Sequence, residues 1–142
     1  MKKFVFSMQK ILDLREFEEK QAQIELGKAV AEVNRIQQEL EVIAAERLRM
    51  VQVCNNSDVY DMITNERYIF RLDANRDKLL EELAAAQLVA EKKRTIFAEA
   101  MKNRKVLSKL KEKQFATYKR ENQQIEDVVS DDLTTSRYRI IQ

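Results

Sequence analysis

Across 142 residues there is no proline, no histidine, no tryptophan, one glycine (Gly27) and one cysteine (Cys54). Average usage in a chain of this length would give roughly 7 prolines and 10 glycines. Sheets and loop-built sites take their turns from those residues, so their near absence excludes an all-β or α/β fold. Without histidine and with a single cysteine, the chain can build neither a disulfide, nor a Cys/His zinc site, nor a histidine-based catalytic group. No segment approaches the ~20 apolar residues of a membrane span. The opening MKKFVFSMQK has the lysines of a signal peptide but only three consecutive apolar residues, and an export leader is not expected. These absences, with a lone reduced thiol, point to a cytoplasmic protein.

What is present is charge and helix-forming residues. Charged side chains make up 35% of the chain and aromatics 7%, a profile of long helices and coiled coils. The net charge of +2 conceals an uneven spread: residues 91–120 carry 11 basic and 3 acidic side chains, whereas 57–90 carry 4 and 7, and 121–142 carry 2 and 5.

Two segments keep the alternating 4,3 spacing of a coiled-coil seam. The first runs Met8, Leu12, Arg15, Glu19, Ala22, Leu26, Ala29, Val33, Ile36, Leu40, Ile43, Arg47, Met50, Cys54, with eleven of fourteen apolar. The second runs Ile69, Leu72, Arg76, Leu79, Leu83, Ala86, Ala90, Lys93, Phe97, Ala100, Arg104, Leu107, with nine of twelve apolar. Between them NNSDVYDMIT gathers Asn, Ser, Asp and Thr, where the chain is expected to reverse.

The fold expected is all-α: a long antiparallel two-helix coiled-coil hairpin forming a single domain over 1–142. Helix 1 is expected over about 7–55, the turn over about 55–63, helix 2 over about 63–126, and a flexible C-terminal tail over 127–142. Ser7 is the candidate cap of helix 1, with Phe6 and Ile11 as a hydrophobic staple, and Ser57 or Asp58 that of helix 2. If the turn centres near residue 59, partners sum to about 118, and helix 2 overhangs by roughly 20 Å on a rod about 70 Å long. A two-stranded seam buries little, so marginal stability alone is expected.

Catalysis finds no support in the residues. Glu18 with Glu19, or Glu81 with Glu82, would need a desolvating pocket to act as acid and base, and a rod offers none. Cys54 lies in step with the seam and reads as a small apolar residue. No enzyme activity, metal or cofactor is expected. The polar seam residues Arg15, Glu19, Arg47, Arg76, Lys93 and Arg104 read as register-setting. Gly27 reads as a point of close packing or local bending, or as a tolerated accident, at a cost of about 1 kcal/mol relative to Ala. The basic stretch, with Phe97, Phe115 and Tyr118 interleaved, admits three readings: a nucleic-acid arm, a solvated flank, or a surface that docks on an acidic protein.

The opening FSMQKILDLREFEEKQAQIEL is more specific. The ordered set Phe6, Gln9, Ile11, Leu12, Asp13, Leu14, Arg15, Glu16, Glu18, Glu19, Ala22 and Leu26 resembles the flagellar export protein FliJ family, and RYIFRLDANRDKL after the turn continues the likeness. The resemblance weakens beyond about residue 110. It implies a component of the type III export apparatus folded as an antiparallel coiled coil similar to the central stalk of rotary ATPases. Partners implied are the export ATPase FliI, whose ring such proteins promote, the cytoplasmic domain of the gate protein FlhA, and export chaperones. Location would be cytoplasmic and peripheral to the inner-membrane export apparatus. By local alignment the gate-binding surface falls on Ile43, Glu46 and Met50 of helix 1 and Tyr68, Leu72 and Asn75 of helix 2. Glu46 and Met50 stand where some relatives carry aromatics, and Ile43, Met50 and Leu72 also fall on the seam. The ATPase-facing residues would be Lys109, Lys111, Lys113, Phe115 and Tyr118. The alternatives to this reading are a basic coiled-coil arm binding RNA or DNA, and a generic scaffold that dimerises along the overhang.

Overall fold

The computed structural model describes residues 2–141. Its elements are two helices, α1 (Gln9–Cys54) and α2 (Val59–Ile141), with no strand among the described residues. Packing divides the chain into two units, one of Met1–Glu19 with Ala100–Gln142 and one of Lys20–Glu99. In each unit a stretch of α1 lies antiparallel to a stretch of α2, the expected helical-hairpin class.

The 4,3 seam explains what is buried. None of its twenty-six positions is exposed. In the second unit Ile36 is the most enclosed side chain, 2% exposed, with Ala22, Leu72 and Ala90 also buried. In the first unit Phe6, Leu12 and Leu107 form a small buried cluster, with Phe4, Met8 and Leu110 packed around it. The register is close to that expected from the turn. Arg47 pairs with Asp73 and Gln9 with Lys111, so facing numbers sum to 120 rather than 118.

The chain reverses without glycine, and no residue with positive φ occurs among those described. Side chains do the work instead. The Ser57 hydroxyl donates at 2.7 Å to the Val53 carbonyl, which also accepts from the Asn56 N–H, and the Asn56 side-chain amide donates to the Gln52 carbonyl at 3.5 Å, so side chains add to the bonding of the last carbonyls of α1. Asp58 then caps α2, its Oδ1 accepting from the Asp61 N–H at 3.0 Å. Of the two caps considered for α2, Asp58 is the one used, and Ser57 serves α1.

Three expectations about the ends differ from what is found. Ser7 does not begin α1: the first intrahelical bond runs from the Leu12 N–H to the Met8 carbonyl, so Met8 holds the capping position. The staple is absent, because Phe6 is buried against Leu12 and Leu107 while Ile11 is 43% exposed. Residues 2–7, which precede Met8, are not helical and run along α2. This segment covers part of what was expected to overhang. Finally, α2 begins at Val59 rather than near 63 and continues to Ile141 rather than ending near 126. No proline or glycine interrupts that span, and the hydroxyls of Thr134 and Thr135 bond back to the Ser130 and Asp131 carbonyls within the helix. The tail expected over 127–142 is therefore helical as far as Ile141, and Gln142 lies outside the described residues.

Candidate functional site

Lys109, Lys111, Lys113, Phe115 and Tyr118, the residues expected to face an ATPase, all belong to the first unit, where the N-terminal segment packs on α2. Phe4 meets Phe115 edge-on at 5.2 Å between ring centroids and Tyr118 at 5.4 Å, and Phe115 stacks on Tyr118 at 6.3 Å. The Tyr118 hydroxyl donates to the Lys2 carbonyl, which ties the segment down. Lys119 places its ammonium 4.9 Å from the Phe115 ring centroid, close enough for a cation–π attraction. Lys111 is half-buried and donates to Gln9 Oε1 at 2.7 Å. Lys113 borders a shallow hollow with Phe4, Thr117 and Tyr118, and Lys109 is exposed.

The structure thus brings Lys111, Phe115 and Tyr118 to the side of α2 that meets the N-terminal segment. It does not gather the three lysines. At 100° per residue Lys109 and Lys113 lie some 40° apart, and Lys111 points about 160–200° away from them. Below this cluster Arg104 pairs with Glu19. Both are polar seam residues, and a charge pair inside an apolar seam penalises any slip that would separate it.

The six residues expected to bind the gate all belong to the second unit and have unlike surroundings. Leu72 is buried at 7% exposure, so it supports the seam and offers no docking surface. Met50 is half-buried in the same seam. Glu46 accepts from Arg49 at 2.5 Å and from the Tyr68 hydroxyl at 3.4 Å, which links two of the six across the helices. The Arg49 guanidinium, followed by its charge and the Tyr68 hydroxyl, holds the Glu46 carboxyl below its usual range. Ile43 and Asn75 line an open groove of about 660 Å³ with Arg35, Val42, Lys78 and Leu79. Its floor is apolar and its rim carries both signs of charge.

Reasoning from the sequence missed Phe4 and Asp73 and gave Phe6 and Gln9 no part in this packing. Phe4 and Phe6 belong to the continuous apolar run Phe4-Val5-Phe6, which carries no alternation to tell which face turns inward; in the structure Phe6 is buried and Val5 is 80% exposed. Gln9 was visible only as part of the family-like opening. Asp73 receives Arg47 at 2.8 Å and Arg76 at 3.5 Å; its signal was the acid directly after Leu72, three residues before an arginine. The bond from Arg47, then the charges of Arg47 and Arg76, keep the Asp73 carboxyl below its usual range.

Among the described residues no cluster of three or more His, Cys, Asp or Glu side chains could hold a metal ion, and no helix is long and apolar enough to cross a membrane. These surfaces expose aromatic, cationic and apolar groups. No significant similarity connects the chain with a curated protein or a solved structure. The sequence model described as the flagellar FliJ protein matches residues 4–140, nearly the whole chain, and the chain belongs to that family.

Proposed function

We propose that this chain, by its family a component of the flagellar export apparatus, binds the export ATPase ring in the manner of a central stalk. It stimulates the ring, links it to the cytoplasmic domain of the export gate, and contacts export chaperones. The chain itself performs no catalysis; hydrolysis belongs to the ATPase. The observation that most supports an ATPase contact is the aromatic and lysine cluster of Phe4, Lys111, Phe115, Tyr118 and Lys119, set in a stretch with 11 basic and 3 acidic residues. Cations beside partly exposed aromatics suit a desolvated contact with an acidic partner surface.

Gate binding is assigned to the groove of Ile43 and Asn75 and to the neighbouring Glu46–Tyr68 pair. Leu72 and Met50 act there by holding the seam.

Adding the protein to its ATPase should raise hydrolysis and ring formation. Unchanged turnover at saturating protein removes the stalk assignment. Reversing the charge of Lys109, Lys111 and Lys113 together should weaken the stimulation most at low ionic strength, because exposed charges are screened by salt. Pull-downs with the ATPase and with the gate domain, scored separately, test the two surfaces independently.

A further inference from the structure

The last part of α2 carries an apolar face that no part of α1 covers. From Gln123 to Ile140 every residue is exposed, including Ile125 at 62%, Val129 at 51%, Leu133 at 62% and Ile140 at 83%. At 100° per residue these four fall within about 80° of one another, and Val128 borders them. They form one stripe about 23 Å long on the ~1.5 Å rise of a helix. Amphipathic faces of this kind are built to be covered.

The charges indicate what covers it. Residues 121–132 hold five acids, Glu121, Glu126, Asp127, Asp131 and Asp132, and the only cations that follow are Arg137 and Arg139. Glu126 and Arg137 stand eleven residues, or three turns, apart, so both lie on the same flank of the stripe. Their midpoint falls between Asp131 and Asp132, within one residue of the midpoint of Ile125 and Ile140. A two-fold axis through that point, perpendicular to the helix, therefore does two things together. It sets each Ile125 near the level of the other copy's Ile140, and it brings each Glu126 against the other copy's Arg137. Flank residues on the same side meet in antiparallel helix pairs, and opposite charges there select the orientation. Parallel pairing would instead bring five acids level with five acids.

We infer that residues 121–140 of α2 form an antiparallel self-association surface whose occupant is the same segment of a second copy of this chain. The two-fold contact is isologous and closes on itself as a dimer. Its area is small, so the dimer is weak and exchanges readily. Asp132 lies within the stripe next to the axis and faces its own copy, which limits the affinity further.

Sedimentation velocity of the full chain over a wide concentration series tests this. The chain should pass from monomer to dimer as concentration rises, Leu133→Glu should abolish the dimer, and Asp132→Asn should tighten it. Glu126→Arg and Arg137→Glu should each weaken it alone. A mixture of those two variants should restore it, because both cross-contacts then regain opposite charges. All these positions are exposed, and unchanged helical circular dichroism confirms that each variant folds. A chain that stays monomeric throughout, or a dimer insensitive to Leu133→Glu, overturns the surface. A mixture that fails to recover overturns the antiparallel arrangement.

Discussion

Gly27 is the residue whose sequence reading the structure settles most directly. It is exposed in mid-helix, and a Cβ built on it meets nothing within 4 Å, so close packing is not its purpose. Gly27→Ala should raise stability by about 1 kcal/mol, seen as a higher denaturant midpoint with an unchanged slope. Ile36 is the opposite case. Truncation to Ala should cost roughly 2–4 kcal/mol, because it removes the most enclosed side chain of the seam. The Arg47–Asp73 pair contributes to the response to acid. Asp73 ionises below its ordinary value of 3.8, so the pair's stabilisation is fully present above that value. It is lost as pH falls through the lower folded value. Asp73→Asn should flatten the stability profile in that window, and an unchanged acid titration would show that the pair contributes nothing to stability.

At the scale of elements, the seam was legible because a 4,3 spacing repeats many times and each repeat constrains the next. Every one of its twenty-six positions is buried or half-buried. The ends were less legible, because each rests on one or two side chains with several possible partners. Ser7 has the chemistry of a cap, yet burial of Phe6 with Leu12 and Leu107 fixes the entry path and leaves the position to Met8. Asp58 has both the chemistry and the geometry. Asp58→Ala should cost about 1 kcal/mol, with hydrogen exchange rising first at the Asp61 amide. Along the exposed faces Arg35 bridges Glu32 and Glu39, and Arg94 pairs with Glu91. Such pairs add only ~0.2–0.5 kcal/mol each, so the helices owe their persistence to the seam and to the lack of helix breakers.

For the molecule as a whole, function was less legible than fold. A helical seam repeats its chemistry, so a partner surface differs from any other solvated flank only in what lies beside it in space. Phe115, Tyr118 and Lys111 could be named from the sequence, but the N-terminal segment that completes their cluster follows from the burial of Phe6. Phe4→Ala should therefore reduce ATPase stimulation while leaving the helix content intact, measured by turnover alongside circular dichroism. The pairing of distant residues also sets an order in time. Arg47 finds Asp73 across 26 residues, whereas Tyr118 finds Lys2 across 116, and closing the longer loop first would cost about 1.3 kcal/mol more. Pairing accordingly starts beside the turn and advances toward the chain ends. During synthesis at ~5–20 residues per second, Leu12 waits on the order of 5–20 s for Leu107 to be made. Until α2 is made, the α1 half of the seam has nothing to pack against, and its Leu12 end waits longest, so the newborn chain is most open to capture or aggregation before its own second helix exists.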